Sequence, residues 1–408
     1  MNAKTAKTAI LTAALWLCYT MVAAAPMKKS AEAEALMSYL QSIYGQKTLS
    51  GTMANVNWNI NEAQWVHQHT GVWPALNCFD YIHLPFTSKG GWIDYSNTSV
   101  VEQWHNAGGI VAIMWHWNMP ANSGGGYSFY YGTKSDQTTF DVKKIFNTSS
   151  TEYQRMMSDI DKVADLLLLL KQKGIPVLWR PLHEAGGQWF WWGMDPEACN
   201  ELWRVMYDRF EQKGLDNLIW VWTQSSAWGK PYSDGYRWYP GDEYVDIVGM
   251  DVYNNTNASN IYTTCYQFLT DASPDKLVAL TECGNVAQIG QQWSSGAKWL
   301  FFVPWYDYDR TKDTSAAAFK STVHSHATAA WWNEAFNHDY VLTRDDVKDA
   351  MTSGIHEVDT YSQENANPSS SAPFIDSDAY YTLDGRKVLH PQRHGVYIHR
   401  GKSIIVKR

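Results

Sequence analysis

Two glutamates in this chain of 408 residues are placed where a pair of carboxyl groups could do chemistry. Glu184 follows an apolar run that ends at Arg180, and Glu282 is itself the last residue of another apolar run. Cleavage of a glycosidic bond needs one protonated carboxyl group to release the leaving oxygen, and one ionised carboxylate on the other side of the anomeric carbon. The two glutamates could supply both groups without a metal ion or a cofactor.

An aromatic segment, Trp189-Phe190-Trp191-Trp192, follows the first glutamate closely. The whole chain contains 22 Trp, 24 Tyr and 13 Phe, more rings than the packing of a core normally uses. Flat apolar rings that also carry a hydrogen-bonding group suit the faces of sugars. We therefore expect some of these four rings to line a sugar-binding cleft, together with other tryptophans near strand ends. Those are Trp115 and Trp117, and the groups from Trp220 to Trp238 and from Trp293 to Trp305.

The composition excludes a nucleic-acid partner. The net charge is −8, whereas phosphate binding needs a basic surface. With 45% hydrophobic and 18% charged residues, the chain has the composition of a folded globular protein. Its later cysteines, Cys78, Cys199, Cys265 and Cys283, allow up to two disulfides, but their spacing fits no disulfide framework and no zinc site.

Eight short apolar runs, each followed by a loop and a helix-like segment, organise most of the chain. They are Thr48 to Thr52, Ala75 to Asp80, Ile110 to His116, Pro176 to Arg180, Leu218 to Thr223, Val245 to Asp251, Leu277 to Glu282 and Trp299 to Trp305. Nearly continuous apolar strands that alternate with helices form parallel sheets covered on both faces. Eight such units predict an α/β protein with a (β/α)8 TIM barrel. An open doubly wound sheet would carry a glycine-rich phosphate turn after the first strand, and none follows Thr52.

The clearest predicted helices are Glu152 to Lys173 and Pro196 to Lys213, which both end in Lys-Gly. A barrel of this kind has its active site at the carboxyl ends of the strands. Besides the two glutamates, the residues found there are His116, His183, Thr223, Asp251 and Trp305. Strands four and seven lie across the barrel mouth from each other, so we expect Glu184 and Glu282 on opposite sides of a bound sugar.

The segment Arg180-Pro181-Leu182-His183-Glu184, followed by Gly187-Gln188-Trp189-Phe190-Trp191-Trp192-Gly193, resembles the acid/base segment of glycoside hydrolase family 26. That family consists chiefly of endo-β-1,4-mannanases, which act by a retaining mechanism on a (β/α)8 barrel. The resemblance spans about residues 35 to 345 and implies a catalytic domain over 30–345. One departure is Ala185-Gly186, where many members carry a bulkier pair similar to Met-Asn.

The resemblance also implies a role for each site residue. Glu184 matches the general acid/base and Glu282 the nucleophile. The implied substrate contacts and supporting groups are Arg180, His183 and Trp189 beside the catalytic pair, Tyr253 as a hydrogen-bond donor to the nucleophile, His116 on strand three, and Trp305 as a platform on strand eight. No metal site and no cofactor are implied.

These roles predict opposite environments for the two carboxyl groups. We expect Trp189 and Trp191 to desolvate Glu184 and to raise its pKa, and we expect Arg180 and the Tyr253 hydroxyl to keep Glu282 ionised. A retaining enzyme would hold the two carboxyl groups roughly 5–5.5 Å apart.

The resemblance implies a mannan endo-1,4-β-mannosidase that hydrolyses a β-mannan polysaccharide, namely mannan, glucomannan or galactomannan, and we expect it to act as a monomer. Another β-glycanase of the same family, a mixed-linkage β-glucanase or a β-1,3-xylanase, remains an alternative. A second alternative, from a different class, is a glycan-binding barrel protein without catalysis. We expect two loops rich in glycine and aromatic residues, Trp117 to Phe140 and Ala227 to Tyr239, to set subsite number and tolerance of galactose.

Both ends of the chain suggest export. Lys4 and Lys7 precede an apolar run from Ala9 to Ala25, which is typical of a secretory signal peptide over residues 1–25. No later stretch is long and apolar enough to predict an integral membrane segment.

A predicted linker, residues 346–374, is followed by a basic tail of short β patterns, residues 375–408. The tail segments Leu383-Asp384-Gly385-Arg386-Lys387-Val388, Gly395-Val396-Tyr397-Ile398 and Lys402 to Lys407 resemble the C-terminal sorting domains of the type IX secretion system. This resemblance implies a secreted protein at the cell surface or in the medium. A carbohydrate-binding module is the alternative for the tail.

Overall fold

The computed structural model describes residues 28–227, 230–231, 234–253 and 259–351, and four strands of the tail, 380–382, 387–388, 395–399 and 402–406. It divides into two units, Met1–Gly354 and Ile355–Arg408. The predicted signal peptide and most of the predicted linker lie outside the described residues.

Eight parallel strands form a closed barrel in the first unit. They are β1 Thr48–Met53, β2 Leu76–Asp80, β3 Ile110–Met114, β4 Val177–Arg180, β5 Leu218–Ala227, β6 Ile247–Val252, β7 Leu277–Cys283 and β8 Phe301–Pro304. Each strand pairs with the next one along the chain, and β8 pairs with β1 where Leu49 lies opposite Phe301. This closure confirms the predicted (β/α)8 barrel.

Every strand begins or ends one to four residues away from its predicted run, and β3 and β5 differ most at their carboxyl ends. β3 stops at Met114 because the backbone N–H of His116 donates to the side chain of Asp80 instead of to a neighbouring strand. β5 continues past Thr223 to Ala227, since its last residues pair with a short antiparallel strand, Lys230–Pro231. β8 is shorter at both ends than the predicted run.

The helices around the barrel are α1 Ala31–Ile43, α2 Asn61–Thr70, α3 Ser99–Asn106, α4 Thr151–Lys171, α5 Pro196–Gln212, α6 Ser259–Ala272, α7 Ile289–Ser294, α8 Tyr308–Thr311 and α9 Ala329–Phe336. α4 and α5 are the two helices that the sequence predicts most clearly. The side chains of Ser150 and Asp195 cap their first turns by accepting backbone N–H bonds. Gly174 and Gly214 follow their last turns with φ of 68° and 78°, values that favour glycine.

Alternate residues of the strands face two separate apolar clusters. Val111 and Ile113 of β3 pack with residues of the surrounding helices, such as Leu167 of α4. Ala112 belongs to the other cluster, which fills the barrel interior and includes Leu40 of α1. Helix α1 therefore contributes to the packing of the barrel interior.

Most tryptophans are core residues, so the prediction that those near strand ends line a cleft is wrong for most of them. Trp115 and Trp117 stack with ring centroids 4.1 Å apart, and both are buried. Trp191 and Trp192 are also fully buried. The indole N–H of Trp191 donates to the backbone carbonyl of Trp117, and such bonds allow an indole to enter a core. Trp92, which the sequence did not single out, is instead 65% exposed.

The four cysteines are buried free thiols, so the structure forms none of the disulfides that their number allowed. Within the described part of the chain, no helix combines the length and apolar character needed to cross a bilayer. In the second unit, the strands Lys387–Val388, Tyr380–Thr382, Gly395–His399 and Lys402–Val406 form an antiparallel sheet in that order, at the positions of the predicted β patterns.

Candidate active site

The loop after β4 holds Glu184 in a left-handed backbone conformation. Leu182, Glu184 and Gln188 have φ of 48°, 54° and 59°, which non-glycine residues rarely adopt. Such a conformation costs about 1–3 kcal/mol and persists only where the surroundings impose it. Here the N–H of Glu184 donates to the carbonyl of Thr223 on β5 at 3.0 Å, and a Cβ added to Gly193 would lie 2.2 Å from the carbonyl oxygen of Ala185.

An irregularity in β7 sets the direction of Glu282. Leu280 pairs with Met250 of β6, but the next pair joins Glu282 to Asp251, so Thr281 is an extra residue. Such a β-bulge re-aims a side chain at the end of a strand. The displaced Thr281 hydroxyl donates to Asp251 Oδ1 at 2.6 Å.

Gly249 of β6 provides the space for this bulge. A Cβ added there would lie 2.4 Å from Cγ2 of Thr281 and 2.6 Å from its Oγ1, too close for any real contact. The glycine is therefore needed for close approach of β6 and β7 and not for a special φ.

Both carboxylate oxygens of Glu282 accept a hydrogen bond. Arg180 donates from Nη2 to Oε1, and the Tyr253 hydroxyl donates to Oε2 at 2.7 Å. Arg180 also donates from Nη1 to Asp251 Oδ2 at 3.0 Å. Burial works against the charge of Arg180, but Asp251 and Glu282 raise its pKa above its usual value. Arg180 is therefore a permanent buried cation that joins β4, β6 and β7.

Glu184 lies in the opposite electrostatic environment. Burial raises its pKa well above the usual value, and the charges of Asp251 and Glu282 raise it further. Arg180 and a hydrogen bond from Trp189 Nε1 to Oε2, 3.2 Å long, oppose these effects. Glu184 therefore keeps its proton at pH values at which an exposed glutamate has lost it.

Trp191, which the sequence predicts beside Glu184, lies elsewhere. Its ring packs against Trp117 and Phe140, with centroids 5.0 Å away from each. Among the four consecutive rings, Trp189 is the one that donates a hydrogen bond to Glu184.

Two histidines lie side by side in the site. The ring centroids of His116 and His183 are 4.5 Å apart at an angle of 80°. Asp80, at the end of β2, accepts from the backbone N–H of His116 at 3.1 Å and lies 2.6 Å from its Nδ1. Burial lowers the pKa of His183 well below its usual value, and the neighbouring His116 and Arg180 add to this effect. His183 is therefore neutral.

Trp305 and Tyr253 complete the set that the sequence predicts. The Trp305 ring lies 6.1 Å from that of His116 and 6.5 Å from that of Tyr253, between centroids. Its backbone N–H donates to the carbonyl of Cys283, directly after the second glutamate, at 2.9 Å. The structure thus brings all eight predicted site residues to one end of the barrel.

Three further residues contribute to the site in ways that the sequence does not predict. Asp80 closes the second apolar run, as expected for a site residue in a barrel, but was not singled out. Asp251 closes the sixth apolar run, but nothing in the sequence points to Arg180 as its partner. Burial and the Glu282 charge raise its pKa, against the opposing effect of Arg180. Burial raises the pKa of Tyr130, on the loop after β3, and the charges of Glu184 and Glu282 raise it further.

The arrangement is suited to acid/base and nucleophilic chemistry by two carboxyl groups. One holds its proton, and the other accepts a hydrogen bond from a guanidinium and one from a phenol. Among the described residues, no group of three or more His, Cys, Asp or Glu side chains is arranged to hold a metal ion.

We predict that Glu184→Gln stabilises the protein at high pH. Because the pKa of Glu184 is raised on folding, the glutamate loses stability as pH rises from its unfolded pKa toward its folded pKa, and below the unfolded pKa nothing is lost. At pH 8 the free energy of unfolding should rise by about 0.5–2 kcal/mol. The gain should shrink at pH 4. Urea unfolding at the two pH values measures this difference.

Glu211→Gln, at an exposed position in α5, is the matched control and should change stability equally little at both pH values. A Glu184→Gln variant that is less stable than the wild type at pH 8, or equally shifted at both pH values, would contradict the prediction.

Comparison with known proteins identifies the family. The model of the family described as Glycosyl hydrolase family 26 matches residues 26–346. The mannan endo-1,4-beta-mannosidase of Thermothelomyces thermophilus is 36% identical over 328 residues, which cover 78% of this chain and 62% of that protein. This chain thus spans less than two thirds of that relative.

Solved structures agree in fold. The GH26 domain of an endo-beta-mannanase/endo-beta-glucanase from Prevotella bryantii has a TM-score of 0.68 and 37% identity, over 78% of this chain and 97% of that one. A beta-mannanase from a symbiotic protist of the termite Reticulitermes speratus, complexed with gluco-manno-oligosaccharide, has a TM-score of 0.64 and 31% identity, over 79% of this chain and 97% of that one. With its barrel and its two glutamates at the ends of β4 and β7, the chain belongs to glycosyl hydrolase family 26.

Proposed function

We propose that this chain is an endo-acting β-1,4-mannanase that hydrolyses mannan, glucomannan or galactomannan with retention of configuration. The observation that carries the proposal is the contrast between the two glutamates. Glu184 is buried and keeps its proton, while Glu282 accepts hydrogen bonds from Arg180 and Tyr253. The mannanase activity of the Thermothelomyces thermophilus and termite-protist relatives supports β-mannan as the substrate.

In the first step, the Glu282 carboxylate attacks the anomeric carbon of the bound sugar. The Glu184 carboxyl group gives its proton to the glycosidic oxygen, so the bond to the leaving sugar breaks and a covalent glycosyl-enzyme ester forms. In the second step, Glu184, now a carboxylate, takes a proton from water as that water attacks the anomeric carbon and breaks its bond to the Glu282 oxygen. Hydrolysis releases the sugar and restores both groups.

The charges of the site make Glu184 suited to both steps. While Glu282 is a carboxylate, its charge raises the pKa of Glu184 and favours the acid form. Formation of the ester removes that charge, so the pKa of Glu184 falls and the base form is favoured. The hydrogen bond from Arg180 to Asp251 does not involve Glu282, so it can hold the guanidinium in place while Glu282 is neutral.

A product profile tests the proposed function. We expect purified protein to release oligosaccharides of several lengths from mannan, glucomannan and galactomannan, and none from mixed-linkage β-glucan or xylan. Glu282→Ala should lower kcat by about 10⁴-fold or more because the nucleophile is lost. Glu211→Ala, at an exposed position in α5, is the control that should leave kcat unchanged.

Each other outcome has a defined meaning. Hydrolysis of mixed-linkage glucan or xylan in place of the mannans would assign the chain to another β-glycanase activity. Binding of these glycans without hydrolysis would indicate a glycan-binding barrel. Full activity of the Glu282→Ala variant would refute the nucleophile, and a first product of inverted configuration by proton NMR would refute retention.

The pH dependence of kcat/KM tests the role of Glu184 as the acid, because two substitutions should shift its pKa in opposite directions. Trp189→Phe removes a hydrogen bond that lowers the pKa of Glu184, so the alkaline limb of kcat/KM should move to higher pH. Asp251→Asn removes a negative charge that raises this pKa, so the limb should move to lower pH. Limbs that move in the same direction would show that Glu184 does not set them.

We also propose that the protein is exported, on the basis of the signal pattern over residues 1–25 and the sorting-domain resemblance of residues 375–408. We expect protein recovered outside the cell to begin after Ala24 or Ala25, which N-terminal sequencing measures. Truncation after residue 374 should leave this cleavage intact and abolish surface or extracellular delivery. Unprocessed chains inside the cell, or normal delivery of the truncated chain, would contradict the respective proposal.

A further inference from the structure

Exposed aromatic side chains are concentrated on two loops beside the site. Among the described residues, seven large hydrophobic side chains are strongly exposed, and four of them, Phe86, Trp92, Tyr127 and Tyr130, lie on the loops after β2 and β3. Trp92 is 65% exposed, whereas most other tryptophans of this chain are buried. Exposed apolar rings that cluster in this way mark a binding surface.

The outer part of this surface joins the two loops. The Trp92 ring packs against His83 with centroids 4.9 Å apart, and Phe86 meets Tyr127 of the other loop at 5.1 Å. His83 and Phe86 are themselves 6.3 Å apart between centroids. Rings from both loops therefore form one contiguous group.

The inner part reaches the catalytic pair. The Tyr130 ring lies 4.6 Å from Phe129 and 5.6 Å from Phe190, and the Phe129 ring lies 4.8 Å from His116. Tyr127 and Tyr130 are three residues apart in the chain, so at most about 11 Å of extended backbone separates them. The aromatic group thus continues from His83 to the mouth of the barrel.

Backbone hydrogen bonds fix the loop after β3 in place. The N–H of Tyr131 donates to the carbonyl of Trp189 at 2.8 Å, and the N–H of Trp191 donates to the carbonyl of Phe129 at 3.1 Å. These bonds tie the loop to the segment that follows Glu184. A surface held in this way loses little conformational entropy when a ligand binds.

We propose that Trp92, Phe86, Tyr127 and Tyr130 form an aromatic strip that extends the substrate cleft outward and stacks against distal sugar units of a long β-mannan chain. The inference rests on the proposed function. Because the strip is continuous with the catalytic site, we take its ligand to be the polysaccharide that this site hydrolyses. The apolar C–H faces of pyranose rings suit these uncharged aromatic faces. The strip adds binding energy only for substrates long enough to reach it.

Substrate length therefore provides the test. Trp92→Ala and Phe86→Ala should each lower the ratio of kcat/KM on glucomannan to kcat/KM on mannotetraose by about threefold to tenfold, mainly through a higher KM on the polymer. Phe146→Ala is the matched control, because Phe146 is 56% exposed and lies on a short helix that packs against α4 and α5. Its ratio should stay within about twofold of the wild-type ratio, as usual for surface changes away from a site.

Binding without turnover gives a second measurement. In affinity electrophoresis through a gel containing glucomannan, the Trp92→Ala variant should be retarded less than the Phe146→Ala variant when both also carry Glu282→Ala, which prevents hydrolysis of the gel polysaccharide. Equal retardation of the two variants would overturn the proposal. So would a Trp92→Ala ratio of kcat/KM on glucomannan to kcat/KM on mannotetraose that equals the ratio of Phe146→Ala. A wild-type enzyme that hydrolyses a different β-glycan would refute the proposed function alone, since the same length ratio on that glycan would still test the strip.

Discussion

The buried guanidinium of Arg180 is the interaction on which the site depends. It donates to Asp251 and to Glu282, and so it connects three strands of the barrel through one planar cation. Three carboxyl groups lie around this single positive charge. The third is Glu184, whose pKa is affected by the charges of Arg180, Asp251 and Glu282. Burial makes such an excess of negative charge expensive, and retention of a proton on Glu184 relieves it. Arg180 donates to two of the three carboxyl groups, and Trp189 donates to the third, Glu184.

The surrounding fold supplies the rigidity that this arrangement needs. A closed parallel ladder leaves no free strand edge between β1 and β8. This rigid barrel stabilises two local irregularities that a short peptide would not hold. They are the left-handed backbone conformation of Glu184 after β4 and the bulge in β7. Asp80 acts similarly for His116, since one carboxylate contacts both the backbone and the ring of the histidine.

The sequence predicts the barrel well and the site in part. Strand and helix patterns are local, so the eight apolar runs and the capped helices α4 and α5 can be recognised along the chain. The strand-end rule and the family resemblance together point to the eight residues that the structure brings together. The ionic partners Asp80 and Asp251 could not be assigned, because each depends on a residue 36 or 71 positions away.

The abundance of tryptophan was misleading for a related reason. Composition counts rings but does not say which way they face, and a loop folded over the barrel can bury indoles such as Trp191 as completely as a strand can. The exposed Trp92 lies in a loop whose sequence does not distinguish it from other loops. Its position beside other exposed rings becomes visible only from the packing of that loop against the loop after β3.

The bulge in β7 has a consequence for how this segment can change in evolution or by design. Successive strand residues point to opposite faces, so deletion of one residue between Leu277 and Glu282 would turn the carboxylate away from the barrel mouth without altering any catalytic group. The number of residues here is therefore as constrained as their identity. Sequence alignments should place no gap within β7, and a chimaera that exchanges this strand should also exchange Gly249, which provides room for Thr281.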